Sequence, residues 1–562
     1  MRVRAVVCVA AVALAAGAAM GLTATGTANQ DTGKTAETAK AQQQFEIADI
    51  HPSPPRTFPF FQEGFLEDGR YVLRQATMGD LIATAYGLRD SSYVHGGPPW
   101  LDWDRYDVIG KVPDGTNLAT AKEMLKSLLE KRFKLVAHEG EAEMPAYWMT
   151  LAPGGLKVKA TPNGTGDGQC HGSPTTTAPE PGSVPLETLS CTNKSMAALA
   201  DTLTRNHGGQ YLRYPVVDKT GAKGAYDFDL KYTPMYSLSQ AGTAGVTIFA
   251  AMEKQLGVKL ELKTMPEQGL VVDSVEETPT PNRQDLAKLM PAMAPAEFEV
   301  AVIKPSASDE RPNFRITGDE VVARAVPLKL IMDFAWDVSF AANDAIVGAP
   351  KWLDSDKIDL EAKVAASNLS DNGGRGPSVA IEDLREMLQA LLIQRFEIKA
   401  QMEDRPVDTY ALIAVDPKMQ KADPAARTEC KEGPGPDGKD PRLTHPVLNR
   451  LVTCTDMTTA EMVDEFQRIA NGYIYYPVED KTRLKGRWDF TLSFSSVNLT
   501  RERGHSDVPS ETGGTAAAAP DPNGAVTFYD AVSKELGLKL VKEQRPEPVL
   551  VIEHMDEQPT AN

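Results

Sequence analysis
Gly96-Gly97-Pro98-Pro99-Trp100-Leu101-Asp102 returns in the second half of the chain as Gly348-Ala349-Pro350-Lys351-Trp352-Leu353-Asp354. The matches extend in both directions and keep their order. Upstream, Phe45-Glu46-Ile47-Ala48 answers to Phe298-Glu299-Val300-Ala301. Downstream, Glu123-Met124-Leu125, Leu128-Leu129 and Arg132-Phe133 answer to Glu386-Met387-Leu388, Leu391-Leu392 and Arg395-Phe396. Further on, Tyr214-Pro215-Val216 and Asp218-Lys219-Thr220 pair with Tyr476-Pro477-Val478 and Asp480-Lys481-Thr482. Gly224-Ala225-Tyr226-Asp227-Phe228 pairs with Gly486-Arg487-Trp488-Asp489-Phe490. Both copies close alike, with Glu277-Thr278-Pro279-Thr280-Pro281-Asn282 against Glu557-Gln558-Pro559-Thr560-Ala561-Asn562. A repeat of about 250 residues is far too long for a solenoid unit, so a whole domain is duplicated in tandem.

The 562 residues are 42% hydrophobic and 24% charged, a balance that supplies real cores. Asp and Glu number 77 against 59 Lys and Arg, a formal charge of −18. Such a chain has no general attraction for nucleic acid or for an anionic membrane surface. Arg2 and Arg4 precede an apolar and small-residue run, Ala5 to Leu22, and small residues follow to Ala28. That pattern predicts a secretory signal peptide cleaved after Ala28, the competing reading being an uncleaved anchor. Cleavage removes Cys8 and takes the charge from −18 to −20. The expected organisation is a signal at 1–28, a polar spacer at 29–44, one domain at 45–282, a linker at 283–297 and a second domain at 298–562. The expected location is the periplasm or the exterior, with no membrane span after cleavage.

Four cysteines remain, two per copy: Cys170 corresponds to Cys430 and Cys191 to Cys454. In an exported protein this predicts one disulfide within each domain, each tethering a loop rich in Gly and Pro. Alternating apolar residues predict strands at Phe45–His51 and Phe298–Lys304. Apolar stripes at helical spacing predict helices at 119–133 and 381–396, with shorter ones at 196–203, 249–256, 460–469 and 528–536. Gly257 and Gly537 stand where C-terminal caps belong. Short strands are expected at 134–138, 146–151, 397–401 and 410–415, and a disordered insertion at 495–525. Helices set between strand pairs indicate an α+β fold, helices packed on mainly antiparallel sheets.

No nucleophile elbow, phosphate loop, dinucleotide fingerprint or metal-binding histidine pair is present, so no catalytic residue, cofactor or metal is assigned. Lys219-Thr220-Gly221 has the letters of a penicillin-binding motif, but no Ser-x-x-Lys accompanies it, and a turn is expected. The candidate ligand-facing residues are repeated ones. Asp102, Asp104 and Asp107 recur as Asp354, Asp356 and Asp359. Three such acids can hold Ca²⁺, yet the rest of a calcium loop is missing, and turn hydrogen bonds to the backbone are the plainer expectation. Trp100 and Trp352 are candidate stacking residues, with core plugging as the alternative.

The segments FEIADIHPS and FEVAVIKPS, LIATAY, GAPKWLDSDKIDLEAK, EMLQALLIQRF, PVVDKTGAKGAYDF and VVDSVEETPTPN together resemble an uncharacterised, soil-associated bacterial family of exported proteins built on a domain of unknown function. The likeness spans nearly the whole chain after residue 44, and no catalytic residue comes with it. Related domains occur on membrane sensor peptidases, which implies an extracytoplasmic binding, sensing or interaction module whose partner is a protein, a peptide or an envelope ligand. The alternative is a hydrolase that uses carboxylates on cell-envelope or extracellular polymers.

Overall fold
A computed structural model describes residues 44–560, apart from 55, 57–60, 62–63, 175–185, 242–243, 292–295, 308–309, 311, 339–341, 343, 366–369, 372–376, 425, 436 and 502–523. The signal, nearly all of the spacer and most of the 495–525 insertion therefore lie outside the described residues.

Each copy has two lobes. In the first, strands β1 (Ile47–Pro52), β2 (Phe65–Glu67), β3 (Arg70–Thr77) and β5 (Arg105–Lys111) form an antiparallel sheet in the order β1-β5-β3-β2. Helices α1 (Met78–Tyr86) and α2 (Leu118–Arg132) belong to this lobe, whose core includes Tyr71, Leu81, Leu125 and Phe133. Helix α1 starts where Thr77 and Asp80 cap each other's backbone N–H, at 3.1 and 3.0 Å, and stops at Gly87 with φ +66°.

The second lobe repeats the plan. Strands β7 (Lys159–Ala160), β8 (Cys170–Pro174), β9 (Glu187–Lys194) and β11 (Tyr226–Tyr232) are ordered β7-β11-β9-β8, and α3 (Met196–Gln210), α4 (Met235–Ala241) and α5 (Ile248–Ala251) belong with them. Helix α5 runs on through a π-helical turn, Met252–Leu256, to Gly257 at φ +74°. A ribbon joins the lobes: β6 (Val136–Leu151) lies antiparallel to β12 (Val258–Ser274) along their whole length. Strand β4 (Val94–Gly96), from the first lobe, adds parallel to β12, while β10 (Val216–Asp218), from the second, adds parallel to β6. The lobes thus exchange short strands across the ribbon.

After a short helix α6 (Leu286–Leu289), the second copy repeats everything. Its first lobe has β13 (Phe298–Pro305), β14 (Asn313–Thr317), β15 (Glu320–Pro327), α7 (Leu328–Trp336), β16 (Ile346–Val347), β17 (Lys357–Val364) and α8 (Ile381–Phe396). A two-strand excursion, β18 (Ser370–Asp371) and β19 (Pro377–Ser378), precedes α8. The long strands β20 (Lys399–Ala414) and β26 (Leu538–His554) form its ribbon. The last lobe has β21 (Gln420–Lys421), β22 (Glu429–Glu432), β23 (Arg450–Met457), α9 (Thr459–Ile469), β24 (Glu479–Asp480), β25 (Trp488–Phe494), α10 (Val497–Arg501) and α11 (Phe528–Ala531). The sheet orders β13-β17-β15-β14 and β21-β25-β23-β22 match those of the first copy. The α+β architecture, with helices on mainly antiparallel sheets, is the one expected. The disulfides are Cys170–Cys191 and Cys430–Cys454, each between directly opposed residues of neighbouring strands.

One device recurs in all four lobes. A residue with left-handed backbone bulges the strand before the helix: Gln75 (φ +55°), Asn193 (+51°), Ala325 (+51°) and Asp456 (+49°). Its N–H is accepted by an Asp of the neighbouring strand: Asp107 at 2.9 Å, Asp227 at 2.8 Å, Asp359 at 3.0 Å and Asp489 at 2.8 Å. The carboxylate satisfies a donor that the bulge takes out of the ladder.

The ribbon differs from expectation. The predicted strand pairs 134–138 with 146–151, and 397–401 with 410–415, are each one unbroken 16-residue strand. The middles are poor in apolar residues: Glu139, Glu141 and Glu143 charge one face with only Gly140 and Ala142 on the other, and Glu403-Asp404-Arg405 charge both faces, which reads locally as a loop.

The copies pack side by side through unlike surfaces. Phe65 and Val72 of the first copy meet Ala380, flanked by Arg74–Asp383 (3.3 Å), Arg56–Asp337 (3.3 Å) and Arg56–Glu382 (2.5 Å). Trp103 packs against the core of the last lobe, and Leu443 packs against that of the second. Arg213 reaches Glu429 (3.2 Å) and the Pro434 carbonyl (3.2 Å).

Candidate functional site
Where the first lobe meets the last, a cleft of about 1620 Å³ opens between the copies. Its first-copy wall is made of Pro52–Pro54, the bulge and first turn of α1, residues 102–106 and the closing segment Glu277–Asn282. Its second-copy wall is made of Arg427–Lys431 and the exposed side of α9, Asp464 to Arg468.

Three local structures aim side chains into it. Pro99–Asp102 forms a 3-10 turn whose Trp100 carbonyl accepts the N–H of Trp103 (2.8 Å) and Asp104 (3.0 Å), fixing the direction of the acids that follow. The closing segment is strapped down by Arg132, whose guanidinium bonds Thr280 Oγ1 (2.8 Å) and Asn282 Oδ1 (2.6 Å). Asn282 in turn bonds Asp49 (2.6 Å) and the Ile50 backbone (3.0 and 3.2 Å). On the far side, Thr458 and Glu461 cap α9, and Arg487 holds Glu461 at 3.0 Å.

The result is a concentration of carboxyls. Asp104 and Glu277 share a hydrogen bond, and burial together with the neighbouring charges of Glu277 and Glu461 pushes the Asp104 carboxyl up to about 6. Asp464 is raised by burial and by Glu461. Glu465 is raised by burial against the opposing pull of Arg468. Asp80 is raised by burial too, despite its hydrogen bonds from Thr77. Arg105 stands among them, lowered by its own burial and bonded to the Gln75 carbonyl (2.5 Å). Toward the second copy, Arg427 binds the Val94 carbonyl and Asp102, and Thr428 donates to the Pro99 carbonyl (3.1 Å).

The three clustered acids do not converge. Asp102 pairs with Arg427 across the seam, Asp104 faces the cleft, and Asp107 turns inward to the bulge and to Ser53 Oγ (2.5 Å). Their counterparts divide in the same way. Asp354 is exposed beside Lys329 (3.0 Å), Asp359 serves its bulge, and Asp356 lines a smaller cavity of about 370 Å³ together with Glu557. Trp100 and Trp352 pack against the first-lobe cores of their copies, and Trp352 also edges that smaller cavity. Sequence reasoning missed Glu277, Arg105, Asp464, Glu465 and Arg468. The signal for the first was in plain view, since Glu277 and Glu557 open the matched closing segments.

A family described as a protein of unknown function, DUF3738, matches residues 79–275 and again 329–555. No curated protein and no solved structure matches the chain. With both halves of the molecule covered, the chain belongs to the DUF3738 family and carries two copies of its domain in tandem.

Proposed function
We propose that this is an exported binding protein that seats a cationic group of an extracytoplasmic ligand, an ammonium or guanidinium of a peptide or envelope fragment, in the cleft between its copies. The observation that carries this reading is the Asp104–Glu277 pair facing Asp464 and Glu465. The Asp104, Asp464 and Glu465 carboxyls are pushed up by burial and by neighbouring carboxylates, and Arg468 and Arg105 oppose this only at Glu465. A ligand cation relieves both costs at once. Clefts between domains are where small-molecule sites concentrate. Export is supported by the Arg2–Ala28 pattern and by the two disulfides, which persist in oxidising compartments. Among the described residues no helix is long and apolar enough to cross a membrane.

A second reading is hydrolysis. Two carboxyls in direct hydrogen bond, one titrating near 6, are the arrangement in which one donates a proton while the other accepts one. A glycosidase pair needs about 5–10 Å between carboxyls, so peptide or ester bonds fit this spacing better than glycosidic ones.

One titration separates the readings. Lys- and Arg-containing envelope peptides are added to the full mature chain by calorimetry, with the peptide analysed afterwards for cleavage. Binding is expected to tighten as pH rises from 5 to 7.5, because Asp104 loses its proton near 6, and to weaken at least tenfold in Asp104→Asn. Intact peptide and that pH trend support binding. Cleavage abolished by Asp104→Asn supports the hydrolase. Binding indifferent to Asp104 overturns both.

A further inference from the structure
We infer a divalent metal site in the second copy, formed by Glu397, His554 and Asp556. Their donor atoms lie within 4.8 Å of one another, with His554 Nε2 3.1 Å from Asp556 Oδ1. Three ligands around one ion at about 2.0–2.2 Å stand roughly 3–3.5 Å apart, so closure asks only for a modest rotation of exposed side chains. The backbone beneath is fixed. Glu397 caps α8 in left-handed conformation (φ +47°), His554 ends β26 opposite Lys399, and the Asp556 N–H is held by the Phe396 carbonyl at 2.8 Å.

The first copy shows what this place requires. Position for position, Lys134, Ser274 and Glu276 stand where Glu397, His554 and Asp556 do. Lys134, also left-handed (φ +54°), caps the same helix end and gives its ammonium to the Lys131 carbonyl at 2.8 Å. The first copy therefore supplies a cation of its own to the negative end of the helix. The second copy replaces that cation with a carboxylate and brings an imidazole and a second carboxylate beside it. One imidazole and two carboxylates suit a borderline divalent ion such as Zn²⁺ or Ni²⁺, with water completing the shell. Sequence spacing hides the site because its ligands come from the end of α8 and the end of the chain. The site is independent of the cleft, although Asp556 adjoins Glu557 of the smaller cavity.

The test is calorimetric titration of the full mature chain, stripped with chelator, using ZnCl₂ and NiCl₂. One equivalent is expected to bind, with affinity falling at least tenfold in His554→Ala and in Glu397→Lys, which restores the first copy's residue. Asp104→Asn is expected to leave it unchanged. Circular dichroism on each variant establishes that the fold is intact. Binding that survives Glu397→Lys in a folded protein, or no saturable binding in the unmodified chain, overturns the site.

Discussion

The same acid pair occurs twice in this molecule and ends in two different places. Asp104 and Glu277 lie in a cleft walled by α9 of the second copy, whereas Asp356 and Glu557 line a cavity that, among the described residues, is walled by their own copy alone. The acid two residues before each pair records the difference: the Asp102 side chain is 22% exposed and bound to Arg427, while that of Asp354 is 71% exposed. Joining through unlike surfaces explains it. A heterologous contact uses one face of the first copy and a different face of the second, so each copy keeps one face unused. Duplication supplied two identical precursors, and the contact made one of them a cleft.

Trp103 is the sharpest point of that asymmetry. It packs on the core of the last lobe, and Ser355 stands at its place in the second copy. Trp103→Ser is expected to lower stability by about 3 kcal/mol, since a large packed aromatic leaves a cavity that collapses only in part. Urea unfolding is expected to split into two transitions as the copies uncouple. Ser355→Trp is expected to leave stability nearly unchanged. A single unshifted transition in Trp103→Ser contradicts the assigned seam.

A second contrast lies inside the helices α1 and α7. Asp333 of α7 is fully buried, and among the described residues neither of its carboxyl oxygens has a hydrogen-bond partner; the corresponding residue of α1 is Ala83. Burial, with Asp354 adding to it and Lys329 opposing, pushes the Asp333 carboxyl up to about 7. Its ordinary value is 3.8, so between these limits the folded protein holds a proton that the unfolded chain has lost. Stability is therefore lost as pH rises from about 4 to 7. Asp333→Ala, which installs the first copy's residue, is expected to stabilise the protein by about 2 kcal/mol at pH 8 and by less at pH 5. Melting temperatures at the two pH values check the sign. Stabilisation greater at pH 5 refutes it.

The bulge carboxylates allow a comparison of four lobes. Removing Asp359 strands the Ala325 N–H, and Asp359→Ala is expected to cost about 1–2 kcal/mol. Asp107→Ala is expected to cost about as much, because Asp107 also accepts from Ser53 just as Asp359 does from Ser306. Amide exchange at Gln75 and Ala325 gives the local readout, and an unchanged exchange rate in either variant breaks the shared role.

These particulars show what the amino-acid order made legible. The duplication, the disulfide pairs and the long helices were plain because matched apolar spacing and paired cysteines are local signals. The relation between the lobes is far fainter in the sequence, although traces of it exist. Thr77-Met78 with Leu81 resembles Ser195-Met196 with Leu199, and Tyr106-Asp107-Val108 resembles Tyr226-Asp227-Phe228. Loops of different length separate these traces, and only the shared sheet order makes them comparable. Of the cleft, Asp102 and Asp104 were visible as a repeated cluster. The α9 residues were not: Asp464 and Arg468 do recur, as Asp201 and Arg205, but they reach the site only through packing between copies, which no local pattern encodes.

The smallest expected effect concerns the turn after β10 and β24, where Gly221 in one copy faces Arg483 in the other. The two turns are otherwise alike. Asp218 accepts from the Thr220 N–H and Oγ1 at 2.8 and 2.7 Å, and Asp480 accepts from the Thr482 N–H at 2.9 Å. Gly221 has φ +66° and Arg483 has φ +58°. A Cβ added at Gly221 would meet nothing within 4 Å, so any difference between the residues comes from the backbone alone. Left-handed backbone costs an ordinary residue about 1–2 kcal/mol, while glycine gives some of that back by loosening the unfolded chain. Arg483→Gly is therefore expected to stabilise by about 0.5 kcal/mol, and Gly221→Arg to destabilise by a similar amount, both measured by urea unfolding. If Gly221→Arg instead abolished peptide binding in the cleft while the fold persisted, the Lys219-Thr220-Gly221 turn would be part of the site, and its purely structural role would be wrong.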